Sequence, residues 1–394
     1  MNPWDQERAR GTVAALRGAA HHLRVVLRDA RANLRWLGTG PRILVLRQRR
    51  NNWNYNDHFL AWVAARVPEA RALFALRRVP SAAALDLGRV ALLLPWLQDP
   101  LRERFPEAYR AARGVEDACR ARGIPVVNPV DALSNTVKSV AAAALARAGV
   151  PVPAMQPIDD PAAFRRTRGG MTPPFIVRED RMHGGATFLV ERDDELARVP
   201  IEALACPLAV RFVDVRGADG LYRKWRYLTA GDWGLPRHLR HATRWNVSRN
   251  DIVSTDATRA EEAAYLGRPE PNHALFQRAR RALGLDVVAF DYAYDRDGRL
   301  VVFEPNPLPL HWVAYDDERG SMHARAIDVV YATLLAYYLA RAGLPVAAWG
   351  PPLAAGGADA PGPRAALLAD GGGERARRDS NSRPADPKSA ALSS

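Results

Sequence analysis

GLDVVAFDYAYDRDGRLVVFEPNPLPLHW, residues 284–312, contains two short strand patterns, VVAFDYAY and RLVVFEP, separated by a turn signal at Asp297-Gly298. Asp-Gly flanked by alternating apolar residues is a strong hairpin signature. With those two residues as the whole turn, Arg296 faces Arg299 and Asp291 lies directly opposite Glu304. A four-residue loop moves the two acids to a diagonal, but the period of two keeps both on one face with Asn306 beside them. Val288, Phe290, Val301 and Phe303 are expected on the other, apolar face. Like charges opposed across a hairpin are destabilising unless a cation sits between them. Two carboxylates and an amide oxygen form a site for a hard divalent cation, Mg²⁺ first and Mn²⁺ second. An ordinary solvated hairpin face is the plainer alternative, and it leaves the Pro-flanked EPNP stop unexplained.

Outward from the hairpin, the pattern upstream alternates strands and helices. RILVLRQ, RALFALRRV, RVALLLPWL and IPVVNP read as strands; NDHFLAWVAARV and PEAYRAARGVEDACRARG read as helices, the second ended by Gly123. This argues for a small open parallel sheet over about residues 41–130, with NNWNYND after the first strand able to meet a ligand at the strand ends. DALSNTVKSVAAAALARAGVPVP is expected to be a helix capped near Ser134 or Asn135. PFIVRED and ATFLVER are strands separated by RMHGG, and DDELARV is an acidic-start helix. PLAVRFVDV, RGADG and LYRKWRYLTAG read as strand, turn and strand. Residues 236–272 read as loops and short helix, HALFQRARRALG as a helix, and ARAIDVVYATLLAYYLARAG as the last helix. On LYRKWRYL, Lys224 and Arg226 share one face and Arg223 takes the other.

The flanks differ. Residues 5–37 have a basic amphipathic helical pattern, expected to pack on the domain behind it. From about Pro351 the chain is Ala, Gly, Pro, Ser and charge, which cannot bury a core. Its end, RRDSNSRPADPKSAALSS, resembles peptides translated from the antisense strand of a tRNA gene. A disordered tail without function is expected over 346–394.

The 394 residues carry a formal net charge of +13. The basic residues are scattered, almost all Arg, with no dense run and no aromatic-interleaved pattern, which argues against nucleic acid as the main partner. No apolar run approaches the roughly 20 residues that cross a bilayer. Cys119 and Cys206 make no metal or redox spacing, and a cytoplasmic, reduced protein is expected.

Taken in order, IPVVNP, SNTVKSVAAAALARAGVPVP, PFIVRED–RMHGG–ATFLV, DGLYRKWR and GLDVVAFDYAYDRDGRLVVFEPNP resemble the ATP-grasp superfamily over about residues 120–345. The nearest likeness is to the glutathione-synthetase-like and glutamate-adding ligases, in a bacterial branch with a YRKYR-like strand and a later PRHLRHATRW-like segment. The resemblance implies an α+β ATP-grasp fold, two α+β subdomains clamping a nucleotide, preceded by a small α/β domain. The implied divisions are 1–40 (helical flank), 41–130 (preceding domain), 131–210 (small subdomain) and 211–345 (subdomain with the metal site).

The resemblance also implies roles. Lys138 and Arg178 contact the nucleotide phosphates, with Arg178 standing where the family usually has Lys. His183, Gly184 and Gly185 form a loop over the phosphates. Arg211, Phe212 and Val213 lie on the hinge whose backbone meets adenine; the acidic residue common near its start is absent at Ala209, Val210 and Arg211. Arg226 and Lys224 stabilise the transferring phosphoryl group, and Asp291, Glu304 and Asn306 hold Mg²⁺. His238 and Trp245 are expected to line the same cleft. The implied activity is an ATP-dependent ligase joining a small-molecule carboxylate to an amine or thiol through an acyl-phosphate, with a homo-oligomer open. A small-molecule kinase on the same fold and a non-catalytic nucleotide- or anion-binding module are the competing readings. The PLPLHW continuation leaves the family pattern, so the acceptor does not carry over.

Overall fold

The computed structural model describes residues 40–48, 55–80, 85–97, 99–181, 186–247, 251–307 and 318–346. The expected N-terminal helix, most of the NNWNYND loop, the loop glycines with His183, the PLPLHW continuation and the tail from residue 347 lie outside the described residues.

Three sheets organise the chain. Strands β1 (Arg42–Gln48), β2 (Phe74–Val79) and β3 (Val90–Trp96) are parallel in the order β2-β1-β3. The main helices are α1 (Tyr55–Arg66), α2 (Pro106–Arg120), α3 (Lys138–Arg147), α4 (Pro161–Thr167), α5 (Asp256–Gly267), α6 (His273–Ala282) and α7 (Glu318–Arg341). The apolar run Ile43–Leu46 suits a strand buried on both faces. Ile43 and Val45 pack with Phe59 and Val63 of α1 and Tyr331 and Leu335 of α7, while Leu44 and Leu46 pack with Ala108, Ala112 and Cys119 of α2. IPVVNP is not a full strand: among the described residues it makes one parallel bridge, Leu93 with Val126.

The second sheet is antiparallel: β4 (Met155–Pro157), β7 (Pro207–Arg211), β5 (Phe175–Glu179) and β6 (Thr187–Val190), in that order. Its own core is formed by Ile158, Phe164, Phe175, Val177, Val190 and Leu196 with their neighbours. The third sheet, also antiparallel, runs β11 (Leu300–Asn306), β10 (Val287–Tyr294), β8 (Tyr222–Ala230) and β9 (Trp233–Ala242). One of its faces sets Trp225, Tyr227, Val288, Phe290 and Tyr292 against Phe276 of α6. The opposite face sets Leu228, Ala230, Val287 and Ala289 against α7. By side-chain alternation Lys224, Arg226 and Asp291 share that second face, so it is apolar at one end and charged at the other.

Several local expectations change. The PLAVRFVDV strand ends at Arg211 and lies in a different sheet from β8; RGADG does form a turn, closed by the antiparallel bridge of Arg216 with Tyr222 and by Gly217 N donating to Leu221 O at 2.8 Å. The segment expected as loops and short helix begins inside β9, a ten-residue edge strand, and holds α5 further on. Its Pro236 is tolerated because the register slips there: Arg226 pairs with His238 and Tyr227 with Pro236, leaving Arg237 as the bulge. DDELARV is a 3₁₀ helix. The helix expected to be capped near Ser134 or Asn135 begins at Lys138, after a 3₁₀ turn over Asp131–Thr136. Its first turn is satisfied from elsewhere: the Asp180 carboxylate accepts from Ser139 N at 2.8 Å and Ser139 Oγ at 2.6 Å. Among the described residues no helix is long and apolar enough to cross a membrane.

Candidate active site

The hairpin delivers its carboxylates to the expected partnership by an unexpected route. The turn has three residues, not two. Asp295 N donates to Arg299 O and Gly298 N to Asp295 O, both at 2.9 Å, with Gly298 at φ +75°. The Asp295 carboxylate accepts from the amides of Asp297 and Arg299, which favours the longer turn. Arg296 therefore does not face Arg299, and Tyr294 pairs with Leu300. A bulge at Phe303 then restores the register, so that Asp291 pairs with Glu304 and Ala289 with Asn306. Leu300 and Val302, rather than Val301, join Val288 and Phe290 in the core. Phe303, half-buried at the edge of that core, also lines the cleft described next.

The second and third sheets bound a cleft of about 500 Å³. Lys138 enters from the first turn of α3, and Ile176, Arg178, Thr187 and Val210 line it from the second sheet. Lys224, Arg240, Asp291 and Glu304 line it from the third, with Phe212, Val213 and Trp245 at the connection between them. Lys138 is 4% exposed, and its Nζ donates to Asp180 O at 3.2 Å. Burial, opposed by Glu304 and reinforced by Arg178, lowers its ammonium to about 8. Arg178 Nη2 lies 3.9 Å from Glu304 Oε2 across the cleft. Phe212 and Trp245 meet edge to face, with centroids 6.0 Å apart.

On the third sheet Glu304, Asp291, Arg226 and His238 are successive cross-strand partners over all four strands. Both bulges, at Phe303 and Arg237, lie beside this row, a place where bulges re-aim side chains. Arg226, 5% exposed, grips Asp291 with two contacts, Nε to Oδ1 and Nη2 to Oδ2, the second at 2.8 Å. Lys224 Nζ lies 3.7 Å from the same Oδ2. Burial works to raise the Asp291 carboxyl, but Arg226 and then Lys224 outweigh it and hold it below the usual carboxylate range. Burial lowers the Lys224 ammonium against the pull of Asp291. His238 is 1% exposed; burial and then Arg240, Arg226 and Arg237 push its imidazole well below its ordinary range, leaving it neutral.

Most of the anticipated residues therefore converge: Lys138, Arg178, Arg211, Phe212, Val213, Lys224, Asp291, Glu304 and Trp245 line one cleft. Arg226 lies behind Asp291 rather than on the lining. His238, expected in the cleft, is instead enclosed behind it as the cross-strand partner of Arg226. Asn306 follows Glu304 by two residues on the same strand face, is 9% exposed, and its Nδ2 has no hydrogen-bond partner among the described residues. His183, Gly184 and Gly185 lie outside the described residues. Arg240, the cross-strand partner of Lys224, is a cleft cation that the sequence reading missed, and Arg223, expected on the other strand face, also reaches the lining. The signal for Arg240, the alternation in PRHLRHA, is hidden by Pro236 and by charge.

Among the described residues no three His, Cys, Asp or Glu side chains are grouped so that they could hold a metal ion by themselves. The oxygen donors are two opposed carboxylates with Asn306. Mg²⁺ is usually held by one or two carboxylates together with substrate phosphates and water, so this donor set fits Mg²⁺. With Lys138, Arg178, Lys224 and Arg240 on the same walls, the arrangement suits a polyphosphate carrying a divalent ion.

No family model matches the chain, and no curated protein matches it significantly. Among solved structures it is similar to the ATP-grasp ligase PsnB complexed with a phosphomimetic variant of its minimal precursor, Mg and ADP. That match has 16% identity and a TM-score of 0.48, and covers 77% of this chain and 99% of the other. It is also similar to PsnB complexed with precursor peptide PsnA2 and AMPPNP, at 16% identity over 74% of this chain and 97% of that one, with a TM-score of 0.45. A RimK domain ATP-grasp protein from Sphaerobacter thermophilus DSM 20745 matches at 19% identity over 75% of this chain and 99% of that one, with a TM-score of 0.46. At such identities and TM-scores the likeness says nothing of what this chain acts on. The proteins it is similar to are ATP-grasp proteins, the superfamily that its sequence motifs resemble.

Proposed function

We propose that this chain is an ATP- and Mg²⁺-dependent ATP-grasp ligase that joins a small-molecule carboxylate to an amine or thiol through an acyl-phosphate, releasing ADP and phosphate. The observation that carries this reading is the cleft between two antiparallel sheets, with Asp291 opposite Glu304 on one wall and Lys138, Arg178, Lys224 and Arg240 converging around them. In this reading residues 41–130 are the preceding domain, 131–210 the small subdomain and 211–345 the subdomain with the metal site.

Met155, Ile176, Val210 and Phe303 offer apolar surface to the base; the hinge backbone would meet it through Val213 and the hinge carbonyls, since Arg211 N and Phe212 N already donate to Ala154 O and Pro174 O. Lys138 and Arg178 hold the phosphates. Asp291, Glu304 and Asn306 would hold Mg²⁺, which would neutralise phosphate charge when bound. Lys224, with Arg226 behind Asp291, stabilises the charge that develops as a substrate carboxylate oxygen attacks the γ-phosphorus and ADP leaves. The amine or thiol then attacks the acyl carbon and displaces phosphate. The work is positioning and electrostatics, so no side-chain nucleophile is required.

The test is a phosphate-release screen of acids paired with amines or thiols, with identification of the product. An amide or thioester with free phosphate supports a ligase, and a stable phosphoester identifies a kinase instead. Nucleotide binding without turnover across the screen favours the non-catalytic module.

A further inference from the structure

Arg226 is a buried cation beside the cleft that is not on its lining. It is 5% exposed, and its fork is closed on Asp291 through Nε and Nη2. Its backbone carbonyl accepts from Tyr265 Oη at 2.9 Å, which fixes the strand at this point. Lys224, two residues earlier on the same face, does line the cleft, as does its cross-strand partner Arg240. The two cations on this face of the RKWR strand therefore divide the work: Lys224 faces the cleft, and Arg226 faces the carboxylate that borders it.

We propose that Arg226 is a positioning residue, which holds the Asp291 carboxylate in one orientation for the divalent ion and does not itself contact the nucleotide phosphates. The proposal rests on the reading of the cleft as a nucleotide and Mg²⁺ site. A carboxylate has about four lone-pair sites and can accept a bidentate Arg. The Arg226 fork takes one site on each oxygen and fixes the carboxylate plane, leaving the remaining site on each for the ion. Ligating carboxylates are themselves held by hydrogen bonds, and losing such a partner typically costs about 10–100-fold in metal affinity or activity. Lys cannot reproduce the planar fork although it keeps the charge.

The experiment uses the full chain and two ligands, ADP without metal and Mn²⁺ added to the ADP complex, the free ion being read by its EPR signal. Arg226→Lys is expected to bind metal-free ADP as the parent does and to bind Mn²⁺ about 10–100-fold more weakly. Lys138→Met is expected to weaken metal-free ADP, marking what a phosphate contact looks like. If Arg226→Lys loses metal-free ADP affinity as Lys138→Met does, Arg226 is a phosphate contact and the proposal fails. Equal Mn²⁺ affinity in Arg226→Lys and the parent overturns it as well. Arg226→Gln, which keeps two donors without the charge, takes the place of a Lys variant that does not fold. A parent chain that binds neither ADP nor Mn²⁺ overturns the nucleotide reading itself, an outcome distinct from the other two.

Discussion

The two walls of the cleft are both four-stranded antiparallel sheets, and they hold their charges differently. The third sheet lies between two large apolar clusters and carries a transverse row, Glu304, Asp291, Arg226 and His238, whose central pair is locked together. The second sheet has a smaller core of its own and contributes Ile176 and Val210 to the cleft with two cations, Arg178 and Arg211, of which Arg178 reaches Glu304 only at 3.9 Å. One wall has its charge fixed before any ligand arrives, whereas the other offers apolar surface and a loosely engaged guanidinium. Preorganised charge suits the reacting end of a nucleotide, and apolar surface suits its base.

On this division, substitutions on the charged wall are the most damaging. Asp291→Asn is expected to abolish ATP turnover and also to destabilise the fold by about 3–5 kcal/mol, because it leaves Arg226 buried without its partner. Glu304→Gln, at a side chain 21% exposed, is expected to abolish turnover with little change in the unfolding midpoint. Steady-state phosphate release together with denaturant titration checks both, and full turnover in either variant would break the comparison. Next in size, Arg178→Met or Lys138→Met removes a charge-assisted hydrogen bond worth about 1.5–3 kcal/mol. Each is expected to weaken ADP by about one to two orders of magnitude, as calorimetry would measure.

Lys138 also gives a pH signature. Burial lowers its ammonium to about 8 from 10.5, so between those values the unfolded chain holds a proton that the nucleotide-free fold lacks. Stability from this group therefore rises as pH increases from about 8 towards 10.5. Lys138→Met is expected to lose that increment, seen by comparing urea midpoints of the two proteins across this range. The smallest expected effect belongs to the connection between the walls. Trp245→Ala removes an edge-to-face contact with Phe212 worth about 0.5–1.5 kcal/mol, and is expected to weaken ADP by only several-fold in the same calorimetric assay.

The sequence made the carboxylate pair legible because side-chain alternation survives a change of turn. The three-residue turn and the Phe303 bulge each displace the register by one, and they cancel at Asp291 and Glu304. The alternation was not enough to place the core residues between turn and bulge, which is why Val302 takes the place expected for Val301. The strand β9 was missed because Pro236 and four basic side chains read as a loop, when an edge position and a bulge make them compatible with a strand. The start of α3 was misplaced because its cap is Asp180, a residue distant in sequence that no local window contains. Arg226 read as a cation among cations; only the fold reveals that its fork faces a carboxylate.

The most direct measurement is the unfolding midpoint of the full chain with ATP, ADP and GTP, each with and without Mg²⁺. At a nucleotide concentration about a hundred times Kd, binding to the folded state alone adds about 2.7 kcal/mol. The account predicts a higher midpoint with ATP or ADP and a further rise with Mg²⁺, which Glu304→Gln would lack. An unchanged midpoint with every nucleotide, with or without Mg²⁺, would contradict it.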